Sequence, residues 1–141
     1  MVHLWILFCR SVLEQSCVVW HASLTQENIE NLERTQKSFA KIVLKEKYVS
    51  YEQALTILNL ENLEERRTNL CVKFAKSGIK YQKLDDLFPV KEKKHKMEIR
   101  EENKYEVIFS NTERLKNSSI PAIQNYLNDD YKQTRKKRKC G

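Results

Sequence analysis

What most limits the folds open to this chain is its shortage of turn-forming residues. Gly78 and the terminal Gly141 are its only glycines, and Pro89 and Pro121 its only prolines, in 141 residues. A β-sandwich uses such residues at many tight turns and is disfavoured; helices joined by short links need few. The composition, 40% hydrophobic with leucine and isoleucine spread along most of the chain, is globular. The length suits one ordinary domain with an appendage.

The best-determined helix spans residues 23–46. Ile29, Leu32, Gln36, Phe39 and Val43 recur at steps of three and four and share one face. Ser23 with Gln26 has capping-box spacing. Acids (Glu27, Glu30, Glu33) occupy the first half and bases (Lys37, Lys41, Lys45) the second, the order that complements the helix dipole. Glu30 with Arg34 and Glu33 with Lys37 stand at the acid-first i,i+4 spacing. Arg34, Lys37, Lys41 and Lys45 form a basic row along one side.

Residues 2–21 predict a largely buried helix with Arg10, Glu14 and Gln15 as its polar side. Its abrupt apolar start implies a piece of something longer. Trp5, Ile6, Phe8 and Trp20 offer more apolar surface than so short a chain covers, which favours self-association through this first helix. Ser50 with Gln53 caps a short helix whose apolar side is Ala54, Leu55 and Leu58. Asn62 with Glu65 opens a second long helix, along which Leu63, Arg67, Leu70, Cys71, Phe74 and Ala75 keep helical spacing and Gly78 marks an end or a kink. Leu84 to Phe88 allow one further turn before Pro89. Residues 91–104 are almost wholly charged and read as a solvated linker or an exposed, frayed helix. Tyr105, Val107 and Phe109 alternate like a short strand that lacks a partner. Residues 118–121, SSIP, start a helix with Ile120, Ile123 and Leu127 on one face. The basic tail that follows, containing RKKRK, has no way to bury itself and is expected to be disordered.

The 26 basic and 19 acidic residues leave a net charge of +7, which favours polyanionic partners or, equally, lysine-rich solvated faces. Cys9, Cys17, Cys71 and Cys140 form no C-x-x-C pair, and the histidines are not at ligand spacing to them. Cys9, Cys17 and Cys71 have apolar neighbours and read as reduced core residues of an intracellular protein. The apolar start is too short to span a membrane. A secretory leader is the competing reading, but it lacks a charged n-region and is interrupted by Arg10 and Glu14. The tail run fits a nuclear-targeting or nucleic-acid-contacting segment.

No complete active site is visible. There is no glycine-rich phosphate loop, no G-x-S-x-G and no H-E-x-x-H. Cys17 and His21, four apart, could pair as nucleophile and base, or be a core cysteine and a histidine at a helix end. Asp85-Asp86 reads as a solvent-facing helix start. Asp129-Asp130, after Tyr126, superficially resembles a polymerase metal box but lacks flanking strands. No catalytic residue, metal or cofactor is therefore expected.

The order of short blocks carries a resemblance that periodicity does not supply. Residues 10–21, RSVLEQSCVVWH, are followed by Leu24-Thr25, by LERTQK at 32–37 and by Ile42-Val43-Leu44. Next come Tyr48, SYEQAL at 50–55, Leu58-Asn59-Leu60, LEERR at 63–67, Leu70-Cys71, Phe74-Ala75, Leu87-Phe88-Pro89 and TERLKNSSIP at 112–121. From about residue 10 to 128 this series resembles the region after the palm in non-LTR (LINE-type) retrotransposon reverse transcriptases. The resemblance implies a thumb and C-terminal helical extension whose catalytic palm aspartates lie upstream, outside this chain. A chain without those carboxylates cannot by itself run a two-metal phosphoryl transfer.

The expectations are these. The fold is mainly α, a small bundle of about four to six helices with at most a short strand near 105–110 and a disordered basic tail. Residues 1–89 form the thumb-like helical module, 90–104 a charged linker, 105–128 a strand-plus-helix appendage and 129–141 the tail. The function is that of a catalytically incomplete reverse-transcriptase-like fragment, an RNA-directed DNA polymerase lacking its core and not itself an enzyme. It would grip RNA or DNA backbone without reading sequence, through Arg34, Lys37, Lys41, Arg66, Arg67 and Lys73 and the tail residues Arg135, Lys136, Lys137, Arg138 and Lys139. Its other partner would be the missing polymerase core, and no membrane is involved. The alternative is a small helical interaction module without a nucleic-acid role.

Overall fold

The computed structural model describes residues 2–90 and 103–139 and is mainly α. Most of the charged linker, 91–102, and the tail's Cys140 and Gly141 lie outside the described residues. The chain divides into two compact units, Met1–Asn69 and Leu70–Gly141.

The first unit begins with α1 (Val2–Leu4), which continues through a π-helical turn (Trp5–Arg10) into α2 (Ser11–Glu14). There the helix breaks: Gln15 is extended and Ser16 is left-handed at φ 52. It resumes as α3 (Cys17–Trp20) and a 3-10 turn (His21–Ser23). The break stays hydrogen-bonded, because the Trp20 indole donates to the carbonyl of Gln15 at 2.8 Å. The expected continuous, largely buried helix is thus corrected twice. It is interrupted, and Leu4, Leu7, Phe8, Cys9, Val12 and Val19 are exposed. Arg10, assigned to the polar side, is buried, whereas Cys9 is not a core cysteine. Trp5, expected as part of the uncovered apolar surface, faces inwards instead, stacked on Phe39 with ring centroids 4.4 Å apart.

α4 (Gln26–Leu44) starts two residues later than the Ser23–Gln26 box implies. Thr25 is the N-cap, its hydroxyl accepting from Asn28 N–H, and the Ser23 hydroxyl turns back to the Trp20 carbonyl. The predicted inner face is present, with Ile29, Leu32, Phe39 and Val43 half-buried and Gln36 wholly buried. Neither Glu30–Arg34 nor Glu33–Lys37 closes to ion-pair distance among the described residues, since Glu33 points into the unit. α4 ends at Lys45, which takes φ 47 without glycine. α5 (Tyr51–Leu58) is capped by Ser50 as its spacing predicts. It closes on Asn59 at φ 52, with Leu60 N–H returning to the Leu55 carbonyl at 2.8 Å. Asparagine tolerates that left-handed position better than most residues. Asn62 opens α6 (Leu63–Lys80), its side-chain oxygen accepting from Glu64 N–H.

α6 runs on into the second unit. Gly78 neither ends nor kinks it. It lies inside the helix, and Leu84 folds over it, so that a Cβ at position 78 would collide with Leu84 Cδ1. Gln82, at φ 55, makes the turn that returns Leu84, and a 3-10 turn (Asp85–Leu87) precedes Phe88 and Pro89. The unit boundary falls at 69/70, ahead of 89, because residues 81–90 are held within the second unit. The Gln124 amide donates to the Leu87 carbonyl, and Glu106 N–H donates to the Pro89 carbonyl.

Among the described residues, segment 105–110 forms no strand, only an isolated antiparallel bridge between Val90 and Tyr105. The extended backbone read from its alternation has a different partner. Asn128 accepts from Tyr105 N–H at 2.9 Å and donates to Tyr105 C=O at 3.1 Å. Gln124 accepts from Ile108 N–H at 2.9 Å. Two amide side chains of α8 (Ser119–Lys139) thereby do what a neighbouring strand would do. A short α7 (Glu113–Lys116), capped by Thr112, precedes α8. α8 buries Ile123 and Leu127 and half-buries Ile120, as predicted, and then continues through the basic residues to 139. The expectation of a disordered tail from 132 to 139 is corrected. Lysine, arginine and glutamine are good helix formers, and cations at a helix C-terminus suit the dipole.

Candidate nucleic-acid interface

α4 carries the arrangement most suited to a polyanion. Arg34, Lys37 and Lys41 stand at i, i+3 and i+7, one stripe of an α-helix, and all three are exposed. Lys45, just past the helix end, extends the row to about 16 Å at 1.5 Å per residue. Two aromatic rings lie beneath it. The Lys37 ammonium is 5.1 Å from the Tyr51 ring centroid and that of Lys41 is 5.6 Å from Tyr48. The rings hold the amines without neutralising them.

Tyr51 is fixed by a buried network. Its hydroxyl donates to Glu33 and accepts from the Gln36 amide at 3.0 Å, and that amide also donates to the Glu61 carbonyl at 2.9 Å. The second oxygen of Glu33 accepts from Glu64 N–H at 3.1 Å, in the first turn of α6. Burial first, and then the bond to the Glu33 carboxylate, push the tyrosine pKa upwards, so the hydroxyl remains a donor at neutral pH. A cleft of about 410 Å³ opens beside this network, lined by Glu30, Arg34, Lys37, Tyr51, Asn62 and Glu64 among others.

The other candidate cations are placed differently. Arg66 is bound to Glu14, which also accepts from Arg10, and it reaches Glu61 at 3.5 Å. Arg67 is 0% exposed, which removes it as a phosphate contact. Its position with Leu63 and Cys71, at i, i+4 and i+8, is the core stripe of α6, and register turns it inward whatever its charge. Its Nε donates to His21 Nδ1 at 3.4 Å, its guanidinium is 5.9 Å from the Trp20 ring, and its two Nη atoms have no partner among the described residues. Burial holds its pKa below the ordinary guanidinium value. Lys73 is exposed on the second unit's part of α6. In the basic end of α8, Lys136, Lys137 and Arg138 are exposed, Arg135 is half-buried, and Lys139 is the last helical residue. The structure therefore groups Arg34, Lys37 and Lys41, and keeps Arg66 and Arg67 apart from them.

Cys17 and His21 are both buried. Because Arg67 Nε donates to Nδ1, the proton of neutral His21 sits on Nε2 and is donated to the Thr68 hydroxyl at 3.1 Å, which in turn donates to the Glu64 carbonyl. Burial and then the Arg67 charge lower the His21 pKa to about 4. The ring is a neutral structural link with both nitrogens engaged. Asp130 is paired with Lys76 at 2.7 Å on a helix, Asp85 and Asp86 are exposed in the 3-10 turn, and no group of metal-ligating side chains forms among the described residues.

Tyr48 and Tyr51 were not among the expected contact residues, although an aromatic pair just after a basic row was a visible signal. No single described helix is long and apolar enough to cross a membrane; Val2–Glu14 and Cys17–Ser23 pass that test only together, across a 41° bend. Comparison with protein families, with curated proteins and with solved structures finds no match.

Proposed function

We propose that the chain contributes sequence-independent contacts to a nucleic-acid backbone, in the manner of the helical region after the palm that its sequence resembles in LINE-type reverse transcriptases. The observation that carries this reading is the exposed row Arg34, Lys37 and Lys41 on one side of α4, with Lys37 and Lys41 seated over Tyr51 and Tyr48 and exposed Lys45 just past the helix end. A row about 16 Å long meets several successive phosphates, and neutralising them releases counterions. The basic end of α8 adds a second cationic segment. The chain itself performs no nucleotide transfer; that chemistry belongs to a polymerase core that supplies the metal-holding aspartates.

The test is fluorescence anisotropy with labelled single strands and RNA–DNA duplex between about 50 and 200 mM salt. Four neutralised phosphates predict a log–log slope near −3 for single strands and near −3.5 for duplex, from about −0.7 and −0.9 per contact. Lys37→Glu with Lys41→Glu should weaken binding to all sequences alike and flatten the slope by about 1.5 to 2. Binding that ignores salt, an unaffected double variant, or nucleotide incorporation by the chain alone would each refute the reading.

A further inference from the structure

The first unit turns a second, chemically opposite surface to solvent. Leu4, Leu7, Phe8 and Val12 are 59%, 66%, 66% and 68% exposed. The charges of this stretch face inwards: Arg10 is buried against Glu14, and Glu14 holds Arg66. No lysine, arginine, aspartate or glutamate is among the exposed residues from 2 to 23. This apolar ridge runs into a cleft of about 430 Å³ whose walls include Val12, Trp20 and Leu24 and, from α4, Asn28, Asn31 and Leu32. No charged residue lines it. Val12 belongs to both, so ridge and cleft form one continuous neutral surface. Trp20 is held in place there by its bond to Gln15. On α4 the cations point elsewhere: Lys37 and Lys41 stand roughly 140° and 180° round the helix from Leu32 at 100° per residue.

A chain of net charge +7 repels its own copies through cationic faces. An uncharged apolar surface is where two copies can approach without that cost. A two-fold interface also needs a surface complementary to itself, and a ridge beside a cleft meets this requirement, each copy filling the other. A bilayer would engage the ridge alone and leave the cleft unexplained. The ridge amounts to several hundred Å², on the order of the largest patches monomers leave open.

We propose that the chain forms a two-fold dimer through this surface, with Leu7 and Phe8 of each copy seated in the cleft between Trp20, Leu24 and Leu32 of the other. The dimer does not depend on the nucleic-acid reading, because its residues are disjoint from the cationic row.

Sedimentation velocity over a concentration series tests it, using the full chain at low and high salt. The expected result is a monomer–dimer equilibrium that is unchanged or tighter at high salt, where like-charge repulsion is screened. Phe8→Glu on the ridge and Asn31→Arg at the cleft alter exposed positions, and circular dichroism checks that both fold. Each should raise the dimer dissociation constant at least about tenfold, while Lys41→Glu leaves it unchanged. A wild-type monomer up to about 100 µM overturns the proposal. So does a dimer that both variants leave intact, or higher aggregation insensitive to Asn31→Arg. A monomer that binds phosphatidylcholine vesicles through Phe8 overturns it in favour of a lipid surface.

Discussion

Replacing Asn128 with leucine should destabilise the second unit by about 2–6 kcal/mol. Asn128 is 2% exposed and holds both backbone groups of Tyr105, the N–H at 2.9 Å and the carbonyl at 3.1 Å. Leucine keeps the branched skeleton, with bulkier methyl groups, but leaves two buried backbone groups without a partner, at about 1–3 kcal/mol each. That is a large part of the roughly 5–15 kcal/mol a domain usually commands. Gln124→Leu should cost less, because the bonds it breaks, to Ile108 N–H and the Leu87 carbonyl, are only part-buried. Both tryptophans, Trp5 and Trp20, lie in the first unit, so indole fluorescence would miss the change. Urea melts followed by circular dichroism, with amide exchange read residue by residue, report on the second unit. In Asn128→Leu the Tyr105 amide should lose protection and that of Ile108 should keep more of it; in Gln124→Leu the order reverses. A Tyr105 amide that stays protected in Asn128→Leu, or a stability change within about 0.5 kcal/mol, would refute the clamp.

Two further outcomes follow from buried contacts. Gly78→Ala gains about 1 kcal/mol of helix propensity but drives a methyl into Leu84, and a net loss of about 1–2 kcal/mol is expected. Leu84→Ala should cancel that penalty in the double variant, and a cycle showing no coupling would refute the close approach. His21 is held at a pKa of about 4 against about 6.5 when unfolded, so the unfolded chain binds more protons between those values. Its contribution is complete above pH 6.5 and disappears as pH falls towards 4, by at most about 3 kcal/mol. Arg67 and Thr68 face the ring and keep it neutral. Urea unfolding at pH 7 and pH 4.5 should show a steeper loss in the wild type than in His21→Gln; equal losses would contradict this account.

Helix starts and registers were legible because they are local. Ser50 and Asn62 cap where their spacing implies, and α4 presents the face that Ile29, Leu32, Gln36 and Phe39 define. What the sequence concealed is polar side chains in core positions. Glu33, Gln124 and Asn128 have surface-type chemistry but lie in buried stripes. Periodicity that counts only apolar residues passes over them. The strand signal at 105–109 was sound about extended backbone; its partner was invisible because it is made of amide side chains and not of another strand. The broken first helix was hidden for a related reason, since no glycine or proline marks the left-handed Ser16. The same logic sharpens the candidate interface. Charge alone nominated six helical cations, but Arg67 shares its register with Leu63 and Cys71 and is turned inward. Arg34, Lys37 and Lys41 lie opposite α4's half-buried Leu32 and Phe39 and face water. Register, applied to charged residues as strictly as to apolar ones, therefore separates the cations able to meet a phosphate from those that hold the fold.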